Sequence, residues 1–322
     1  MIAVAGTLVA DIVLRSVPQW PEKGGVVCVD LIQANHGGAV ANTGLALERM
    51  GIPVTALATV GGDDLGIMVR SKVSTWATHN AVGVDASSRT TACIVAVAED
   101  GDRSFIVMAG ACDRFVLTEA QVEQVILSGS RALHVGYALL LPAFDGERLR
   151  RALRRAGTLG ALTSLDVSWH KSDQWPSLLT VLPEIDVFCP NLAEAQAITG
   201  KTEPMQAAAA LVAAGVRKFV AVTDGNRGAY VHVVGEGQEH LPALPVNVAD
   251  TTGAGDCFVA GVLAAWYRGF PWRTAARIGI GAAALAVASP ERYQHLRSWA
   301  QVLERCQAAR ERGPGASGAR CV

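Results

Sequence analysis

Residues 250–256 (DTTGAGD) combine two glycines and a carboxylate directly before an apolar run at 257–266. The run has helical spacing, so the glycines fall at the N-terminus of a predicted helix. Backbone N–H groups at such a terminus attract an anion such as phosphate, and Gly253 and Gly255 let the backbone approach it closely. The Asp256 carboxylate would repel an anion, so it does not serve anion binding. Its presence fits a general base that removes a proton from a group attacking phosphorus. Capping of the helix by Asp256 is the alternative that this segment leaves open.

Strand-like and helix-like segments alternate along most of the chain, which predicts a mainly parallel sheet covered by helices on both faces. The predicted strands are 2–5, 53–60, 132–135, 162–167, 187–189 and 219–223, and the predicted helices are 39–50, 65–75, 146–156, 192–199 and 205–214. Three further strand-like runs fall outside this alternation, at 26–34, 91–98 and 103–108. The last two are joined by an Asp-Gly turn, a hairpin signal. They predict a small separate sheet, with an extra hairpin on the main sheet as the alternative.

The composition fits one large α/β domain with an insertion: 322 residues, 50% of them hydrophobic and 18% charged. The net charge of −1 gives no excess of positive charge that would indicate binding to nucleic acid or to an anionic membrane surface. We expect no membrane span, because 18 apolar residues never follow one another, and no signal sequence, because the start lacks a basic segment. Seven cysteines without metal-ligand spacing predict reduced thiols in a cytoplasmic protein.

The sequence DTTGAGDCFVAG resembles the C-terminal signature of the ribokinase (PfkB) family of small-molecule kinases. Two other motifs of that family are present in the expected order, GGAVAN at 37–42 and PNLAE at 190–194. The resemblance implies a three-layer α/β/α ribokinase-like domain with a mainly parallel sheet, plus a small β-sheet lid that pairs between subunits of a homodimer. It divides the chain into a kinase core (1–11, 37–84 and 112–309), the lid (12–36 and 85–111) and a tail expected to be disordered (310–322).

The resemblance also implies the activity, ATP-dependent phosphorylation of a hydroxymethyl (primary alcohol) group of a sugar or sugar derivative. Asp256 is the expected general base, and the backbone N–H groups from Gly253 through Ala254 and Gly255 form the expected anion hole. Asp11 follows the first predicted strand, at the edge where ligands bind in open α/β sheets. The residues that the resemblance assigns to the acceptor are Asp11, Gly37, Gly38 and Asn42.

Asn191 and Glu194 lie three residues apart on the first turn of a predicted helix and therefore share a face. An amide and a carboxylate suit Mg²⁺, although the same pair also forms a helix capping box. The resemblance implies that Glu194 serves the metal and Asn191 the ATP phosphates. The segment TDGNRG at 223–228 matches the family's Thr-x-Gly-x-x-Gly turn, so Thr223, Gly225 and Gly228 are expected ATP contacts, with a plain hairpin loop as the alternative.

The sequence departs from the family pattern at three places. Ser168 stands where many members have an amide, Ile280 where many have a polar residue beside adenine, and residues 287–292 lack a glycine of the monovalent-cation loop. The last departure argues against activation by K⁺. The acceptor stays open between a sugar and a nucleoside such as pseudouridine, and a non-catalytic sugar or nucleotide sensor is the third alternative. A Rossmann oxidoreductase is disfavoured because the first strand lacks GxGxxG.

Overall fold

A computed structural model describes residues 1–98, 102–168, 174–288 and 296–311. The chain divides into two compact units. Unit 1 contains Met1–Leu45 and Val54–Gln174, and unit 2 contains Ala46–Pro53 and the described residues from Trp175 onward. Within those described residues, every helix is too short or too polar to cross a membrane.

Unit 1 contains eleven strands among its described residues. They are β1 (Ile2–Gly6), β2 (Val9–Val17), β3 (Leu31–Gly37), β4 (Val54–Leu57), β5 (Thr59–Gly61), β6 (His79–Asn80), β7 (Gly83–Asp85), β8 (Ala92–Ala98), β9 (Arg103–Met108), β10 (Ala132–Ala138) and β11 (Leu162–Val167). Five of them form a parallel array in the order β11-β10-β1-β4-β6. Every residue of β1, β4 and β11 is buried, including the polar residues Thr55, Thr163, Ser164 and Asp166.

A second sheet in unit 1 has the order β3-β2-β8-β9. Its existence confirms the prediction of a small additional sheet. The bounds of one predicted strand were wrong, and one strand was missed. The strand expected at 26–34 is β3, which begins at Leu31 and runs directly into the next helix. The missed strand is β2, which contains Asp11; β3 and β8 pair with it on both sides and place Asn35 and Cys93 beside Asp11.

The helices of unit 1 are α1 (Gly38–Arg49, whose last residues belong to unit 2), α2 (Asp64–Ser74), α3 (Glu119–Leu127) and α4 (Glu147–Thr158). The sequence prediction missed α3, although its start carries a capping box. The Thr118 hydroxyl accepts from the Gln121 N–H, and the Gln121 side chain accepts from the Thr118 N–H at 2.9 Å. The strand expected at 53–60 is broken into β4 and β5 at residue 58.

The described strands of unit 2 are β12 (Val187–Phe188), β13 (Phe219–Thr223), β14 (Ala229–Val233) and β15 (Gly237–Leu241). β12 and β13 are parallel, and β13, β14 and β15 form an antiparallel meander. The described helices are α5 (Leu192–Thr199), α6 (Pro204–Ala213), α7 (Ala254–Tyr267), α8 (Trp272–Val287) and α9 (Trp299–Glu311). Helices α7 and α8 are the apolar centre of this unit, and Gly261 on α7 faces Gly279 on α8, which allows the two backbones to approach closely.

Some of the predicted features lie outside the described residues: the Asp-Gly turn at 99–101, Trp169 after β11, the loop at 289–292, and the tail from 312 onward.

Candidate functional site

The glycine motif of unit 2 forms the N-terminus of α7, as the sequence predicts. Gly253 is the N-cap in the left-handed region, with φ +76°. Asp256 lies in the first helical turn and is buried, with 3% of its surface exposed. A Cβ added to Gly255 would meet no atom within 4 Å, so nothing in the protein's own packing explains the missing side chain. The Ala254 N–H donates to the Thr251 carbonyl at 3.2 Å, so the open part of the first turn of α7 is at Gly255, with the buried Asp256 carboxylate next to it in the chain.

The segment before α7 is held by two sets of hydrogen bonds. The Asp250 carboxylate accepts from the Thr252 N–H at 2.8 Å. The N–H groups of Ala249 and Asp250 donate to the Val287 carbonyl at the end of α8, at 2.7 and 3.2 Å. These bonds fix the turn that carries the glycines before any ligand binds.

Asn191 and Glu194 form the capping box of α5 that the sequence left as the alternative to metal binding. The Asn191 side chain accepts from the Glu194 N–H at 2.9 Å, and Glu194 Oε2 accepts from the Asn191 N–H at 2.8 Å. Burial, reinforced by the negative charge of Asp256 and opposed by the Asn191 hydrogen bonds, raises the pKa of Glu194 to about 7. Two acidic side chains, Glu194 and Asp256, thus share a buried region of unit 2.

The Thr-x-Gly-x-x-Gly turn lies next to this capping box. Thr223 ends β13 and forms a parallel bridge with Asn191, with its N–H donating to the Pro190 carbonyl at 3.0 Å. Gly225 and Gly228 both have positive φ, +50° and +95°. A Cβ on Gly228 would lie 2.1 Å from the Leu241 carbonyl oxygen, so the chain requires glycine at this position.

One cavity of about 570 Å³ joins the turn to the glycine motif. Its lining includes Thr223, Gly225 and Gly228 together with Ala254 and Gly255 of α7. It also includes apolar side chains, among them Leu244, Val246, Phe258, Ile280 and Val287. The cavity has the size and the mixed lining of a small-molecule site, with the N-terminus of a helix and apolar side chains in the same wall. Ile280, which the resemblance places beside adenine, is one of the residues that line this cavity.

In unit 1, the residues predicted for the acceptor surround the start of α1. Asp11 is buried, with 6% of its surface exposed, and its carboxylate lies over the α-carbon of Gly37, where a Cβ would be only 2.1 Å from Oδ2. Gly38 has φ +83°, and a Cβ there would be 2.7 Å from the Thr7 carbonyl oxygen. Thr7 also accepts the Ala39 and Val40 N–H groups, each at 3.1 Å, through its hydroxyl and carbonyl oxygens.

Asn42 is buried on the second turn of α1 and donates from Nδ2 to the Tyr137 hydroxyl at 3.3 Å. The sequence analysis missed Tyr137, which lies at a register shift of β10 with φ +60°, an unusual backbone conformation for a tyrosine. The chain that follows is held by Asp145, whose carboxylate accepts from the N–H groups of Leu139 and Leu141 at 3.0 and 2.9 Å. Sequence alone carries no signal for this arrangement, because the strained backbone depends on contacts far apart in the chain.

The predicted site residues therefore fall into two groups. Unit 1 brings together the four acceptor residues, Asp11, Gly37, Gly38 and Asn42, at the junction of β2, β3 and α1. Unit 2 brings together the predicted catalytic, nucleotide and metal residues around the starts of α5 and α7 and the turn after β13.

Comparison with known proteins identifies the family and the fold. The family model described as pfkB family carbohydrate kinase matches residues 1–297. Fructokinase-1 of Oryza sativa subsp. japonica is 26% identical over 235 residues, covering 70% of this chain and 72% of its own length. Among solved structures, the ribokinase of Arabidopsis thaliana complexed with ribose and ATP has a TM-score of 0.82 and 23% identity, covering 95% of this chain and 98% of its own. A nucleoside kinase of Burkholderia thailandensis in complex with inosine has a TM-score of 0.74 and 18% identity, covering 96% and 98%.

The fold is the ribokinase-like α/β fold, with a mostly parallel sheet, helices and an additional small sheet. The family match covers far more than half of the chain, so this chain belongs to the pfkB family of carbohydrate kinases. It is an ATP-dependent small-molecule kinase of the group that phosphorylates sugars and nucleosides.

Proposed function

We propose that this kinase transfers the γ-phosphoryl group of ATP to a primary hydroxyl of a sugar or sugar derivative, with Asp256 as general base. The observation that carries the proposal is the start of α7, where a buried carboxylate stands beside N–H groups that open into the cavity of about 570 Å³. A capping role alone would not require Asp256 to be buried, because carboxylates in first turns are stabilised at the surface too.

The chemistry follows from these positions. The Asp256 carboxylate accepts the proton of the acceptor hydroxyl while that oxygen forms a bond to the γ-phosphorus. The bond from the γ-phosphorus to the bridging oxygen breaks, and ADP leaves with the electron pair. The N–H groups of residues 253–256 stabilise the negative charge on the phosphoryl oxygens, an effect on the order of a hundredfold in rate. The Asp256 proton is released to solvent with the products.

The donor occupies the cavity of unit 2 in this proposal. Thr223, Gly225 and Gly228 line the cavity and contact the phosphates and ribose, Asn191 contacts the phosphates from its place beside Thr223, and the adenine lies against Phe258 and Ile280. Gly255 supports this placement, because its missing side chain leaves space that the protein itself does not fill.

The residues near Glu194 fit Mg²⁺. Glu194 and Asp256 are both buried, and burial together with the negative charge of Asp256 raises the pKa of Glu194, so its charged form is costly; a divalent cation beside the two carboxylates would compensate their charge. Glu194 Oε2 is used by the Asn191 N–H, which leaves Oε1 to hold the ion directly or through water. When bound with ATP, Mg²⁺ neutralises charge on the phosphates. A role for K⁺ is not proposed.

The acceptor is held by Asp11, Gly37, Gly38 and Asn42. A buried carboxylate can accept hydrogen bonds from two neighbouring hydroxyls, and the absence of a Cβ at Gly37 lets the Asp11 carboxylate lie against the backbone there. A nucleoside acceptor offers the same pair of ribose hydroxyls, so it is the second candidate. We favour a sugar because curated relatives such as the rice fructokinase carry that name.

The second sheet of unit 1 is proposed as the lid over the acceptor and as a dimer contact. Its strands β3 and β9 carry exposed apolar side chains, namely Ile32, Phe105, Ile106 and Val107 with 68%, 55%, 51% and 64% of their surface exposed. A second copy of the chain would cover them. Light scattering tests this proposal: the wild type should be a dimer, and Val107→Lys should shift it toward monomer. A monomeric wild type at micromolar concentration would rule it out.

The free thiols of the described cysteines fit a cytoplasmic location.

The test of the catalytic proposal is ADP release with MgATP against ketoses, aldoses, sugar acids, ribonucleosides and pseudouridine. Asp256→Asn keeps the shape of the side chain and removes its basicity, so we expect kcat to fall by about 10³-fold while ADP still raises Tm. Asp64→Asn is the matched control, because Asp64 is an exposed carboxylate in the first turn of another helix, α2. If both variants keep full activity, Asp256 is only a helix-terminus residue. If no acceptor stimulates turnover while ligands still bind, the chain is a sensor.

A further inference from the structure

Unit 2 contains a second cavity, of about 430 Å³, which lies apart from the glycine motif. Its walls come from the end of β15, the segment after it, α8 and α9. The lining is mainly apolar and includes Leu241, Leu244, Phe270, Ile278, Ile280 and Leu303. The volume lies within the range of small-molecule sites, roughly 300–1,000 Å³. Nothing in the proposed kinase reaction uses this space.

One charged side chain, Arg277, stands in the wall of this cavity. Its Nη2 donates to Glu239 Oε1 at 2.6 Å, and Arg273 Nη1 donates to the other oxygen of the same carboxylate at 2.8 Å. Two guanidinium groups therefore share Glu239, and Glu236 lies on the Arg273 side of the pair, at 3.5 Å from Arg273 Nε. Among the described residues, the bond to Glu239 is the one side-chain hydrogen bond of an Arg277 group that has five N–H donors.

We propose that this cavity binds a small amphipathic carboxylate, with its apolar body against α8 and α9 and its carboxylate on Arg277. A guanidinium holds a carboxylate through two parallel hydrogen bonds, which matches the donors that Glu239 does not use. The apolar walls favour a singly charged ligand, because a doubly charged phosphate would lose more hydration on entry. An aliphatic or aromatic monocarboxylate satisfies both requirements.

The second cavity is coupled to the nucleotide cavity. Leu244 and Ile280 line both of them, so each of these two side chains would contact a ligand in either cavity. Because protein interiors are close-packed, a ligand that displaces these side chains on one side changes the space on the other. Carboxylate binding therefore changes the affinity for ADP, and ADP changes the affinity for the carboxylate by the same factor.

Calorimetric titration of the full chain with octanoate, without nucleotide, tests the site independently of phosphoryl transfer. Octanamide, which has the same body without the charge, should bind about tenfold more weakly, since a charge-assisted hydrogen bond is lost. Arg277→Gln should remove this preference. Arg273→Gln is the matched control: it loses a bond to the same Glu239, but Arg273 does not line the cavity, so the preference should remain.

A second variant tests the site independently, in case Arg277→Gln does not fold. Thr274→Phe places a ring in the cavity from α8 and should abolish octanoate binding while ADP still binds. Repeating the octanoate titration with saturating ADP measures the coupling. The proposal is overturned by any of three results: no saturable binding of octanoate at millimolar concentration, equal losses in Arg277→Gln and Arg273→Gln, or the same octanoate affinity with and without ADP. An inactive kinase that still shows the Arg277-dependent preference would reject the proposed function and keep this site.

Discussion

Gly255→Ala tests whether glycine is required at position 255 by a bound ligand or by the fold. Gly255 is the second residue of α7, its φ is in the ordinary range, and an added Cβ would meet no atom within 4 Å. Alanine is favoured over glycine in a helix by about 0.5–1 kcal/mol. The substitution should therefore leave the protein as stable as the wild type or raise Tm by about 1–3 °C.

The catalytic activity of Gly255→Ala should fall, although its stability should not. The added methyl group would project into the cavity where the phosphates are proposed to lie, so it would push them away from the N–H groups of α7. Loss of one such donor costs roughly a hundredfold in rate in other enzymes, so we expect kcat/KM for MgATP to fall by about that factor.

Thermal unfolding and steady-state kinetics on the same preparation check both parts. Gly261→Ala is the matched control on the same helix, because its Cβ would lie 2.8 Å from Gly279 Cα and 3.0 Å from Ala282 Cβ. That variant should lose about 1–3 kcal/mol of stability through overpacking. If Gly255→Ala instead loses stability, or keeps full kcat/KM, the placement of phosphate at the start of α7 is wrong.

Two other substitutions address the acceptor residues and a buried histidine. Gly37→Ala puts a Cβ 2.1 Å from Asp11 Oδ2, so the carboxylate must move and the acceptor KM should rise about tenfold, with ADP affinity unchanged; an unchanged KM would exclude Asp11 from the acceptor site. Burial lowers the pKa of His134 from 6.5 to about 3. Below pH 6.5 the imidazole is therefore protonated in the unfolded chain but stays neutral in the folded chain. Stability should fall by about 2 kcal/mol from pH 6.5 to 5 in urea unfolding, and His134→Gln, which can still reach Ser164, should reduce that slope; equal slopes would contradict the assignment.

The sequence predicted the regular parts of the fold because its strongest signals are local. The helices α5 and α6 and the strands β11 and β13 were predicted within one or two residues, since apolar spacing and turn residues mark them. The failures came where pairing overrides local pattern. Asp11 interrupts the apolar pattern of residues 9–17, but β3 and β8 flank that segment and make it a strand. β3 is the next strand along the chain, but β8 (Ala92–Ala98) is far from β2 in sequence.

In the candidate site too, features with a local sequence motif were predicted and features that depend on distant contacts were not. The motifs at 37–42, 190–194, 223–228 and 250–256 lie at the start of α1, the start of α5, the turn after β13 and the start of α7, because a short glycine or Asn-x-x-Glu motif carries its own local geometry. Tyr137 carries no such motif. Its position beside Asn42 depends on the register shift in β10 and on the start of α1, which are far apart in the chain. The second cavity likewise requires α9 to pack on α8, and no local pattern predicts that contact.

Glycine identity alone therefore does not predict function. In the turn after β13, Gly228 is fixed by its φ of +95° and by the Leu241 carbonyl oxygen, so the fold would demand glycine there even without a nucleotide. Gly253 is likewise fixed by φ +76° at the N-cap of α7. Gly255 differs, because neither its backbone nor its neighbours forbid a side chain. A residue with less helix propensity than alanine, at a place where the protein would accept alanine, is best explained by a ligand that needs the space.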